Sequence, residues 1–261
     1  VGSEMCIRDR FFGGIPMSIR TLEETFWALA QSKPHTRQQF FQSAKPIAFP
    51  KGSLCIRAKE KNPWIYFILS GKVCVYNLTK CGKRKILFVL GPDHIANETL
   101  MEDTGTIFCE TIEACRFLAI RQEKLAELMQ QDFGFTQVLF RYQERKIWRL
   151  EHQLKNTMGS IYLERKLASK LWKLGRDFGT DTSQGLRINI SLSITFLADL
   201  LGAPRETTSR VCRKLAEAGL IRMEKKTIWL PDPQRILLFY KTGVLKSAVP
   251  IYLSRNIFYI H

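Results

Sequence analysis

The chain has 261 residues, enough for two domains with separate cores, and carries 40 Lys and Arg against 24 Asp and Glu, a formal charge of +16. Such an excess favours a polyanionic partner, nucleic acid ahead of an anionic membrane surface, and any such association weakens with salt. No apolar run approaches the roughly 20 residues needed to span a bilayer, and the seven cysteines are an odd number; a soluble protein of the reducing cytoplasm, with no membrane partner, is expected.

The opening string VGSEMCIRDR has no periodicity and Met17 offers a start of its own, so residues 1–16 read as an artefactual or disordered extension. Residues 17–121 read as an N-terminal helix followed by a strand-rich domain. Between Ile47 and Ile120 the runs FPKGSLCIR, WIYFILSGKVCVYNLTKCGKRKILFVLGPD and TIFCETIEACRFLAI form short apolar strands punctuated by Gly52, Gly71, Gly82 and Gly91. Regular spacing of this kind predicts an antiparallel barrel or sandwich. Residues 73–78 and 86–90 flank a basic turn, Thr79 to Lys85, and predict a hairpin.

From Gln122 the period lengthens. Leu125, Leu128 and Met129 mark a short helix; Val138, Leu139, Tyr142, Ile147, Leu150, Leu154, Met158 and Ile161 then recur mostly three or four apart, with no glycine or proline between Thr136 and Met158. Residues 122–160 are accordingly assigned to a dimerisation helix, with Ile147, Leu150, Leu154 and the adjoining Ile161 on the seam and Arg141, Arg145, Arg149, Glu144 and Glu151 beside it.

Residues 161–240 are assigned to a second domain: an amphipathic helix from Leu163 to Phe178, a polar loop from Gly179 to Gly185, the strand LRINISL, and then SITFLADLLGAPRETTSRVCRKL. The last stretch reads as two helices joined at Gly202, the first burying Leu197, Ala198, Leu200 and Leu201 and the second starting by Pro204. In the second helix Thr208, Val211, Cys212 and Leu215 fall three and four apart and turn inward, which leaves Arg205, Glu206, Ser209, Arg210 and Arg213 outside. A helix so furnished fits the major groove, where arginine can bond guanine O6 and N7 and glutamate can accept from cytosine N4. Gly219 stops the helix, and Leu220–Ile221 and Ile228–Leu230 make a wing whose turn presents Lys225 and Lys226 to phosphate. Residues 241–261 are an unpatterned tail.

The predicted fold class is α+β: an N-terminal antiparallel, jelly-roll-like β-roll, a long dimerisation helix and a C-terminal winged helix-turn-helix. This order, with FPKGSLCIR, the YFILSGKVCVYNL run and LADLLGAPRETTSRVCRKLAEAGLI, resembles the Crp/Fnr superfamily of bacterial transcription regulators. The resemblance covers about residues 40–233. It implies an effector-responsive homodimer that places two recognition helices in successive major grooves of a near-palindromic site, with base contacts from the positions of Arg205, Glu206 and Arg210, and in some members Ser209. It also implies RNA polymerase as a partner if the protein activates.

Members that bind cyclic AMP are expected to use a glycine and glutamate, then an arginine followed by serine or threonine. In GPDHIANETLMEDTGTIFCETIEA, Glu98 matches the glutamate, but Asn97 replaces the glycine and Gly105 the arginine, with Thr106 after it. Cyclic AMP is therefore not expected. Nor is an iron–sulfur cluster, because Cys55, Cys74, Cys81, Cys109, Cys115 and Cys212 are scattered and Cys6 lies in the suspect extension. No cofactor is predicted. An unidentified small molecule lined by Asn97, Glu98, Thr99, Thr106 and Tyr142 is the expected effector. Alternatives are a redox regulator (Cys109 with Cys115, or Cys81 beside Lys80 and Lys83), a haem regulator using His94, and a cyclic-nucleotide-type signalling module without DNA. No metal-ligand cluster or catalytic motif appears, and no enzymatic activity is expected.

Overall fold

A strand that is apolar at successive positions, such as Trp64–Ser70, needs cover on both faces of its sheet, and the folded chain supplies it. The computed structural model describes residue 29 and residues 31–155 and 162–244, which fall into two units, residues 1–155 and 156–261. The sequence boundary of 160/161 and the calls on residues 1–16, Met158, Ile161 and most of the tail lie outside the described residues.

The first unit opens with helix α1 (Pro34–Ser43) and continues through β1 (Lys45–Phe49), β2 (Leu54–Ile56), β3 (Trp64–Ser70), β4 (Val73–Leu78), β5 (Arg84–Leu90), β6 (Phe108–Thr111) and β7 (Cys115–Arg121). These strands form two antiparallel sheets of order β1-β7-β3 and β2-β6-β4-β5. Tyr66, Ile68, Phe117 and Ala119 point into the roll, where they join Val73, Val75 and Cys109. Their neighbours Ile65, Phe67, Leu118 and Ile120 point the other way and meet Phe40, Leu125, Leu128 and Phe135 of the helices. Two cores thus share one sheet. The hairpin β4–β5 forms as predicted, turning at Gly82.

The span assigned to a dimerisation helix begins with the short helix read around Leu125–Met129, α2 (Gln122–Gln131), and continues as the long α3 (Phe133–Lys155). Asp132 makes the break. Its buried carboxylate accepts from Phe135 N (3.1 Å), capping α3, and from Lys33 N (2.7 Å) and Thr36 Oγ1 (2.9 Å), tying the corner to α1. The apolar stripe read along α3 also divides. Val138 and Leu139 are buried against the roll with Tyr142 packed beside them, whereas Ile147, Leu150 and Leu154 are 41–62% exposed. Phe133 and Phe140, absent from the sequence assignment, are 72% and 64% exposed and extend the second face at a spacing of seven with Ile147 and Leu154.

The second unit contains α4 (Leu163–Phe178), β8 (Gly179–Thr182), β9 (Gly185–Ile188), α5 (Ile194–Leu201), α6 (Arg205–Glu217), β10 (Arg222–Glu224), β11 (Thr227–Leu230) and α7 (Pro233–Thr242). Its antiparallel sheet has the order β10-β11-β9-β8. The stretch read as a polar loop, Gly179–Gly185, is mostly strand β8 and its turn. Backbone pairing of Gly179–Thr182 with Gly185–Ile188 overrides its polar composition, and Gly185, at φ +105°, sits where a Cβ would strike the Leu230 carbonyl. Among the described residues no helix is long and apolar enough to cross a membrane.

Candidate functional site

The corner between α5 and α6 is built by local chemistry. Ser193 Oγ accepts from Phe196 N (3.1 Å) to open α5, and Gly202, at φ +70°, closes it in the left-handed conformation with its N–H on Ala198 O (2.7 Å). Pro204 then caps α6, and buried Thr208 donates its hydroxyl to Pro204 O (3.0 Å). Leu197, Ala198 and Leu200 are buried as expected, while Leu201 is half-buried, because α5 is only eight residues long and Leu201 is its last.

Thr208, Val211, Cys212 and Leu215 are all buried, which fixes the rotation of α6. Arg205, Glu206, Arg210 and Arg213 are consequently exposed and Ser209 half-exposed, none of them paired within the protein among the described residues. Lys214 is different: it bonds Glu164 of α4 at 3.0 Å, a contact that ties α6 to its scaffold. At the same C-terminal end of α6, Arg235 donates to Ala218 O (3.1 Å) and holds the helix terminus to α7.

The wing is positioned by backbone. Lys225 takes φ +54° at the turn between β10 and β11, and Lys226 O accepts from Leu192 N (2.7 Å), just ahead of α5. The two lysine side chains are exposed at the tip. The structure therefore holds the seven predicted contact residues on α6 and on a wing tied to the same motif. Sequence reasoning passed over the outer face of the wing sheet, where Arg187 and Arg222 flank Trp229 in register and the Arg222 guanidinium lies 4.8 Å from the indole. The alternation of buried Leu230 and Ile228 with Trp229 was the signal available.

In the first unit the predicted effector residues separate. Asn97 is buried and its amide is fully engaged: Oδ1 accepts from Tyr66 N (2.8 Å) and Nδ2 donates to Trp64 O (2.9 Å), so it clamps β3. The Glu98 carboxylate accepts from Thr106 N (2.6 Å) and Thr106 Oγ1 (2.9 Å), closing the cassette loop on itself. Thr99 donates to Glu102 O (2.8 Å). Only Tyr142 of the five lines the 490 Å³ cavity beside α3. Its hydroxyl accepts from Ile95 N (2.9 Å), and burial pushes it up to about 12. Asn97, Glu98, Thr99 and Thr106 are not among the residues lining that cavity; their polar groups meet backbone and one another.

At the arginine position of the cassette, Gly105 offers no cation, and the carboxylate that would take a ribose already holds Thr106. Among the described residues the cysteines are free of disulfides, and Cys74, Cys109, Cys115 and Cys212 are buried. Cys55 lies against Cys109 O at 3.2 Å; the hydrogen bond between the two thiols and burial hold Cys109 well above the ordinary thiol range, and that same bond lowers Cys55.

Two family models match: a cyclic nucleotide-binding domain over residues 46–132 and a Crp-like helix-turn-helix domain over residues 165–237. The chain belongs to the Crp/Fnr superfamily. It is a DNA-binding transcription regulator of that type, not an enzyme. A CRP-like cAMP-activated global transcriptional regulator of Mycobacterium tuberculosis is 27% identical over 194 residues, 74% of this chain and 86% of that protein. The cyclic AMP receptor protein of Thermus thermophilus is 25% identical over 205 residues, 78% and 90% of the two chains. In fold it is similar to FixK2 from Bradyrhizobium japonicum, with a TM-score of 0.65 at 18% identity over 79% of this chain and 99% of that one.

Proposed function

We propose that this regulator binds a near-palindromic DNA site as a homodimer, one α6 per major groove, and that a small organic effector other than cyclic AMP controls it. The observation that carries the reading is the rotation of α6: burial of Thr208, Val211, Cys212 and Leu215 leaves Arg205, Glu206, Arg210 and Arg213 outward and unpaired among the described residues. Guanidinium forks and one carboxylate suit base edges, and Lys225 and Lys226 suit phosphate. The exposed heptad face of α3, from Phe133 through Phe140 and Ile147 to Leu154, with Leu150 between, supports pairing of protomers. Half-sites then lie about one helical turn apart. The protein acts in the cytoplasm without a membrane partner, and RNA polymerase is a further partner where it activates.

Electrophoretic shifts on sites selected from genomic fragments test this. Salt-sensitive, sequence-selective binding is expected; binding that ignores sequence contradicts the reading. Cyclic AMP is tested by calorimetry, where submicromolar affinity would overturn its exclusion.

A further inference from the structure

The basic residues that the sequence places beside the seam of α3 do not lie along it. Arg141, Arg145 and Arg149 recur every fourth residue, on the flank turned from the exposed Phe140–Ile147–Leu154 face, and with Lys146 they line the cavity of the first unit. Phe88 and Leu90 at the end of β5 and Val138 of α3 supply its apolar wall.

Four cations face a single carboxylate there, Asp93, whose acid form is favoured by burial. Lys146 is fixed by donating to Asn97 O at 2.6 Å. Arg149 lies against the ring of His94, Nη1 to Nε2 at 3.4 Å, and His94 Nδ1 lies 3.0 Å from Pro92 O. Arg141 and Arg145 have no ion-pair partner among the described residues. A concave wall of like charge with apolar sides focuses its field on the space it encloses, and guanidinium forks favour carboxylate or phosphate oxygens.

We infer that this cavity binds a small organic dianion with an apolar body, its acid group held by Arg141, Arg145 and Lys146 and its body against Phe88, Leu90 and Val138. This rests on the effector reading above but moves the ligand from the cassette loop, whose Glu98 is closed on Thr106, to the cationic flank of α3. Neutral ligands and cyclic nucleotides are poor fits, the first for want of charge, the second because the ribose carboxylate and phosphate cation are not both at hand.

The test is calorimetry on the full chain with phenyl phosphate as probe and phenol as its uncharged counterpart. Saturable binding of phenyl phosphate is expected, at least tenfold tighter than phenol, and at least tenfold weaker in Arg141→Gln/Arg145→Gln. Both side chains are exposed, so the variant should melt with the parent. Arg205→Ala, on the DNA face, should bind the probe as the parent does. Absence of saturation, equal affinity for phenol, or an unaffected double variant would overturn the site. A shift assay with and without probe separates the two ideas: saturable, Arg141/Arg145-dependent binding that leaves DNA affinity unchanged keeps the anion site and removes its role as effector.

Discussion

The two units use their polar side chains in opposite ways. Around the cassette loop, Asn97, Glu98, Thr99 and Thr106 are consumed by backbone and by one another, with donor–acceptor distances of 2.6–2.9 Å. On α6, Arg205, Glu206, Arg210 and Arg213 are exposed and unpaired among the described residues. The difference follows from local geometry: a loop must satisfy its own peptide groups, and short polar side chains do this, whereas a helix satisfies them internally and leaves its outer side chains for a partner. Polar residues in a loop are therefore weak evidence for a ligand site, and charged residues on a rotationally fixed helix are strong evidence for a partner.

The contrast extends to α3, where one helix presents a buried face, an exposed apolar face and a cationic face. Its largest expected consequence concerns the apolar one. Replacing Ile147 and Leu154 by Glu should leave a folded monomer, because both side chains are more than half exposed, and should weaken binding to a two-half-site DNA by about 10²–10⁴ through lost avidity. Ultracentrifugation and shift assays on one- and two-half-site DNA check it; a variant that stays dimeric would place the seam elsewhere.

Core independence comes next in size. Phe117 is fully buried inside the roll, and Phe117→Ala should cost about 3–5 kcal/mol in the first unit. Hydrogen exchange should then rise across β3 and β7 while the amides of α6 keep their protection. Equal loss in both units would show that they unfold as one.

A smaller effect sharpens the wing's role. Lys226→Ala should weaken binding to selected and random DNA alike and reduce the salt slope by about 1, leaving sequence preference unchanged. A pH effect is expected on the sensor side. Burial pushes Lys146 down to about 8 from 10.5, so its folded form sheds a proton that the unfolded chain keeps. That gives stability present above pH 10.5 and lost as pH falls through about 8. Denaturant midpoints of the parent should gain on those of Lys146→Met between pH 8 and 10.5; a constant difference would mean the ammonium is better solvated than its surroundings indicate.

Most of the second unit was legible because its signals are periodic or punctuating. Thr208, Val211, Cys212 and Leu215 set one face of α6, and Gly202 set the corner. The exception was Gly179–Thr182, whose polar composition hides a strand held by main-chain pairing. In the first unit the alternating strands could be read, but β3 and β7, apolar on both faces, gave no hint that one side meets helices. The short helix around Leu125–Met129 could be read, but the position of its break from α3 could not, because that is fixed in part by tertiary contacts of the Asp132 carboxylate with Lys33 and Thr36 nearly a hundred positions earlier. For the same reason the stripe on α3 read as a single seam: spacing alone does not say which of two partners, the roll or a second protomer, each apolar residue meets.

The account turns on α6 reading base edges. Binding of the parent and Arg210→Ala to a selected site, to the same site with one base pair changed in each half, and to random DNA measures this directly. Arg210→Ala should lose about 1–3 kcal/mol of discrimination at one base pair per half-site while its affinity for random DNA changes little. Equal losses on selected and random DNA would make Arg210 a phosphate contact and contradict the assignment of the reading face.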